Sequence, residues 1–127
     1  MLKHIFAASL ISAALSSAAF ADDQPAYLVA ALEVTDLNAY FENYGGPVFP
    51  MLAAAGAEVI VGSPAVSVLE GDYGATWTAI VRFPSMEALE NWYGSAEYQA
   101  IAPARRALTN ESSSVLFAVP AFQMPQQ

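Results

Sequence analysis

The sequence predicts an α+β fold in a single small domain, with the element order β-α-β-β-α-β. Apolar runs of strand length with two-residue alternation occur at 27–34, 57–62, 76–83 and 114–119, the pattern of β-strands. Between them lie two stretches with apolar residues at three- and four-residue spacing. Each is preceded by an Asp or Ser suited to capping a helix. That order is the split β-α-β, ferredoxin-like arrangement: a four-stranded antiparallel sheet with both helices on one face.

The elements follow in chain order. Met1-Leu2-Lys3-His4 is a short basic start, Ile5 to Leu15 is apolar, and Ala19-Phe20-Ala21 is a small-x-small cleavage site followed by Asp22-Asp23. This is the layout of a secretory signal, so residues 1–21 are expected to be removed and the remainder to be periplasmic or secreted. In 27–34, Leu28, Ala30, Leu32 and Val34 share one face, and Tyr27, Val29, Ala31 and Glu33 the other. Asp36 caps a helix carrying Leu37, Tyr40, Phe41 and Tyr44. Gly45-Gly46-Pro47 is expected to kink or break it, with a second piece from about Val48 to Ala55, stopped by Gly56. The second strand, 57–62, is expected to resume at 66–70 after a bend at Ser63-Pro64, and Gly71-Asp72-Tyr73-Gly74 makes a turn. In 76–83, Trp77, Ala79, Val81 and Phe83 lie on one face and Thr76, Thr78, Ile80 and Arg82 on the other. Ser85 caps a helix to Tyr93, and Ser95 caps another to about Leu108. The last strand is 114–119, giving a domain over 22–119 and a Pro/Gln tail over 120–127.

Both faces of these strands are largely apolar, yet the helices cover only one. An uncovered face carrying Tyr27, Val29, Ala31, Thr78 and Ile80 would be a large sticky patch. Pairing two such sheets face to face buries it, so a homodimer in the form of a dimeric α+β barrel is expected.

Composition excludes several kinds of chemistry. The only Lys and the only His stand at positions 3 and 4, and the chain has no Cys. Beyond the signal there is therefore no Ser-His-Asp triad, thiol nucleophile, Schiff-base lysine or P-loop. Zinc sites of His/Cys type and His- or Cys-ligated haem are likewise excluded. No cofactor and no metal are expected. Three arginines face twelve acidic residues, a net charge of −9 after signal removal. Such a field disfavours nucleic acid and anionic membranes as partners.

Residues 82–106, RFPSMEALENWYGSAEYQAIAPARR, resemble the Phe-Pro-Ser … Trp-Tyr-x-Ser-x-Glu-Tyr-Gln … Arg signature of the DUF1330 family. YLVAALEVTDLNAYFENY and VSVLEGDYG are similar to that family's first strand-helix unit and its Glu-Gly hairpin. The resemblance covers most of residues 26–119. It implies a ferredoxin-like subunit in a dimeric α+β barrel and supplies no reaction. It also makes Glu70, at the Glu-Gly hairpin, a candidate site residue. The Gly45-Gly46-Pro47 interruption departs from the more regular helix expected there.

The remaining candidates come from the residues themselves. Arg82 lies on the strand face opposite Phe83, and antiparallel pairing places it beside Tyr27; a ligand anion or a salt bridge would satisfy it. Tyr98 and Arg105 share a helix face two turns apart, whereas Arg106 is rotated about 100° away, toward water. Arg105 suits either a ligand anion or a structural ion pair near a helix C-terminus. A small aromatic or anionic molecule held between the paired sheets, with Arg82, Arg105, Tyr98, Tyr27 and Glu70 as its contacts, is one expected function. The other is a cofactor-independent monooxygenase- or isomerase-like enzyme acting on an enolisable or aromatic substrate. Intact-mass measurement of the protein from a producing cell is expected to find Asp22 at the N-terminus; Met1 retained in a membrane fraction would contradict the signal assignment.

Overall fold

The computed structural model describes residues 24–125; the expected signal, residues 1–21, lies outside them. Four strands form one antiparallel sheet in the order β2-β3-β1-β4: β1 is Ala26–Leu32, β2 Glu58–Ser63, β3 Trp77–Phe83 and β4 Val115–Pro120. The two central strands pair Tyr27 with Arg82 and Leu32 with Trp77, the neighbour relation expected from topology. Two-residue alternation then decides the layers. Ala26, Leu28, Ala30, Leu32, Val81 and Phe83 are buried on the helix side.

The helical layer consists of α1 (Leu37–Tyr40), a π-helical turn (Phe41–Gly45), α2 (Gly46–Ala54), α3 (Met86–Tyr93) and α4 (Ala96–Ala107). Each expected cap is present. Asp36 accepts from Ala39 N at 3.0 Å, and Ser85 accepts from Ala88 N at 3.0 Å. Ser95 accepts from Tyr98 N at 3.2 Å and donates to Trp92 O at 2.7 Å. The last of these ties the end of α3 to the start of α4. Gly56 ends α2 with φ +74°, a conformation that glycine adopts without a Cβ penalty.

Two expectations are corrected. The helix does not break at Gly45-Gly46-Pro47. Both glycines keep right-handed helical angles, and the Gly46 N–H reaches back five residues to Phe41 O. The wider turn places Pro47 in the first turn of α2, where its missing N–H costs little. Residues 66–70 do not resume β2. Ser63 Oγ accepts from Ala65 N and donates to Ala65 O, both at 3.0 Å, closing a tight turn. Pro64 lacks an N–H, and on the side away from β1 the strand β3 pairs only with 58–63. The segment is left with no ladder to join.

The sheet face away from the helices is open and apolar: Val61, Val115, Phe117 and Val119 are each 38–49 % exposed. Among the described residues, no helix is long and apolar enough to cross a membrane. Because Ser95 orders the α3–α4 junction from both sides, Ser95→Ala is expected to lower the unfolding free energy by about 1 kcal/mol in chemical denaturation. No change would show that the junction is held by packing alone.

Candidate functional site

Seven residues separate Tyr98 from Arg105 on α4, two helical turns, so both point to the sheet. Tyr98 is fully buried and Arg105 is 8 % exposed, while Arg106 is exposed. Arg105 Nε donates to Tyr98 Oη over a long 3.4 Å. Tyr98 Oη is in turn 3.0 Å from Tyr44 Oη. Tyr44 reaches inward because the π turn, with its extra residue, sets it on the sheet side of the helix. The Tyr98 ring is wedged between Trp92 and Tyr93, with centroids 4.1 and 5.3 Å away, so Arg105 rests on a rigid support.

Between the helices and the sheet, Arg105, Tyr44 and Trp92 border a cavity with about 70 Å³ open to the centres of water-sized molecules. Its floor is the helix side of β1 and β3, and its walls include Tyr40, Tyr44, Trp92 and Arg105. Phe41, from the π turn, and Trp77, at the start of β3, stand edge-to-face at 4.9 Å on its outer side. No Asp, Glu or His lines it.

The electrostatics are one-sided. Burial works against the Arg105 charge, but its tyrosine neighbours, Tyr98 foremost, outweigh this and raise its pKa. Its placement in the last turn of α4, at the negative end of the helix dipole, helps in the same direction. Burial pushes the Tyr40 and Tyr44 hydroxyls well above their ordinary range, so at neutral pH they are neutral donors and not bases. Among the described residues no carboxylate pairs with Arg105. Among the described residues the one buried side-chain polar atom without a partner is Trp92 Nε1, also a donor. The cavity thus combines one cation and several donors with no fixed anion.

The structure divides the candidates predicted from sequence. Arg105 and Tyr98 come together here, with Tyr98 one layer behind the cavity wall. Arg82 and Tyr27 are cross-strand partners on the open sheet face, and Glu58 lies opposite Arg82 on its other side. Glu70 is exposed on the 64–76 loop. This cavity lies under the helices, on the opposite side of the sheet from Arg82 and Tyr27. Sequence reasoning missed Tyr40, Tyr44 and Trp92 as site residues. Their four-residue and helical spacing reads as ordinary core, and only the lone Arg on a facing helix hints otherwise. Among the described residues no cluster of His, Cys, Asp and Glu could hold a metal.

Solved structures share the fold. A protein of unknown function from Rhodopseudomonas palustris matches with a TM-score of 0.65 at 17 % identity, over 80 % of this chain and 85 % of that one. The cofactor-independent oxygenase SnoaB from Streptomyces nogalater matches at 0.54 and 17 % identity, over 82 % and 99 %. A nipsnap family protein of unknown function from Agrobacterium tumefaciens matches at 0.52 and 11 %, over 81 % and 93 %. At such identities the likeness concerns the fold alone. No curated protein matches the chain. The model of DUF1330, a domain of unknown function, matches residues 25–119, from the first strand into the last. With every helix and all of the sheet but its final residue inside that match, the chain belongs to the DUF1330 family.

Proposed function

We propose that the protein binds a small organic anion, an aromatic or short-chain carboxylate, in the cavity between its helices and sheet. The observation that carries this reading is Arg105: a largely buried arginine at a cavity wall with no carboxylate within ion-pair distance among the described residues. A desolvated charge of this kind is costly unless an anion meets it. The ligand carboxylate would complete the Arg105 fork, and the Tyr44 hydroxyl and Trp92 indole N–H are further donors within the same wall. The apolar floor would take the hydrocarbon part.

The same donors would suit the oxygen of an enolate, and SnoaB, with a similar fold, is a cofactor-independent oxygenase. Turnover of an enolisable aromatic, read as oxygen consumption, would favour that second reading; recovery of the ligand unchanged favours binding. The binding reading is preferred because the cavity lining holds no group able to take a proton at neutral pH. We also propose that the protein is exported and that it pairs through its open sheet face as a homodimer. The exposed Val61, Val115, Phe117 and Val119 support the pairing.

Both tryptophans of the chain line the cavity, so their fluorescence reads occupancy directly. Titration with benzoate is expected to give a saturable change, and benzamide, which lacks the charge, at least tenfold weaker binding. Arg105→Gln should abolish the benzoate response and Arg82→Ala should leave it within about twofold; equal responses in all three proteins would refute the assignment.

The tyrosines add a pH dependence. Their folded-state pKa values lie above the unfolded value of about 10, so the native state holds protons that the unfolded chain releases. Their contribution is full below pH 10 and is lost as pH rises further. Thermal unfolding is therefore expected at falling temperature above about pH 10, with a shallower decline in Tyr44→Phe; identical alkaline profiles would contradict it. Light scattering at micromolar concentration is expected to give twice the subunit mass, and a monomer would remove the case for sheet pairing.

A further inference from the structure

The inner cavity is small for its apparent task. A water needs roughly 10–15 Å³ measured in this way, so 70 Å³ holds a few waters or one small ring. Phe41, Phe49, Leu52, Val59 and Trp77 line this cavity and also line a larger groove on the outside, between α2 and β2, with about 580 Å³ open on the same measure. The groove continues over Ala53, Ala57 and Ile60, and Phe49 and Ile60 are 59 % and 47 % exposed there.

The Phe41–Trp77 pair, in edge-to-face contact, forms part of the boundary between the two spaces. Each ring lies on a glycine. A Cβ at Gly45 would stand 2.8 Å from Phe41 Cδ1, and one at Gly62 would stand 3.4 Å from Trp77 Cζ2. The absent side chain at Gly45 is what lets the Phe41 ring lie back against the backbone, whereas a Cβ at Gly62 would stand at ordinary contact distance from Trp77. At the groove's far side Glu58 is the one charged residue of the lining, which disfavours a second negative end on whatever lies there.

We propose that the ligand is an amphipathic monoanion: its acid group and first ring or short chain occupy the inner cavity at Arg105, and an apolar extension parts the Phe41–Trp77 contact to reach the α2–β2 groove. This rests on the anion-binding reading above and adds a second subsite, which selects for an extended apolar body.

The test uses benzoate, 4-propylbenzoate and 4-pentylbenzoate as probes of the full-length protein and of Ile60→Ser and Ala53→Asp. Both substituted residues line the groove and not the inner cavity, and both are exposed, so folding is preserved. In the unaltered protein affinity is expected to rise about two- to fourfold per methylene, the upper value being that of full burial. In the variants benzoate should bind within twofold of the unaltered protein while the gain from the alkyl chain falls at least fivefold. If benzoate binds and the series is flat, or if the gain survives both substitutions, the groove subsite is overturned while the Arg105 site stands. If benzoate and its longer homologues all fail to bind, both proposals fall together.

Discussion

The structure depends on how the charge of Arg105 is kept inside it. Removing a guanidinium from water costs several kcal/mol even after relaxation. Here the cost is not met by a carboxylate. It is met in part by a long hydrogen bond to Tyr98 and by the dipole of α4. A chain selected only for a stable core could place an aliphatic residue at 105. On the proposed reading, a charge retained there lowers stability in the absence of ligand, as functional sites commonly do.

Much of the surrounding packing serves to fix that charge in place. Ser95 sets the phase of α4, so that Tyr98 and Arg105 both turn to the sheet. Trp92 and Tyr93 hold the Tyr98 ring from α3. The π turn inserts one residue between α1 and α2, which directs Tyr44 to Tyr98 while Phe41 remains at the cavity's outer edge. Gly45 is part of that turn and also the seat of Phe41. One local irregularity therefore positions both a polar wall and an apolar boundary, consistent with the frequent placement of π turns at functional sites.

The architecture was legible in the sequence because it rests on period and punctuation. The strand alternations, Asp36, Ser85, Ser95 and Gly56 each carry a local physical signal, and each appears where that signal puts it. The inward turn of Arg105 and the outward turn of Arg106 followed from helical geometry alone. Two local features did not follow. The Gly-Gly-Pro stretch reads as a breaker because a π turn that rescues the backbone bonding leaves no pattern in the sequence. Residues 66–70 read as a strand because their composition suits one, but a strand needs a neighbour, and pairing is a tertiary property. The site was legible only in part for the same reason. Tyr40, Tyr44 and Trp92 have the spacing of core residues, and their shared cavity arises from how separate elements meet. Arg82, Tyr27 and Glu70 carry plausible chemistry, yet the fold places them away from Arg105.

The central claim is that Arg105 is held unpaired for a ligand and not as part of the framework. Chemical denaturation of Arg105→Met, with and without saturating benzoate, tests it most directly, since Met fills the space without the charge. Without ligand the variant is expected to be at least as stable as the unaltered protein, and benzoate should stabilise only the latter. A loss of about 3 kcal/mol or more in the unliganded variant, the size seen when a buried ion pair is broken, would show that Arg105 is structural and would contradict the account.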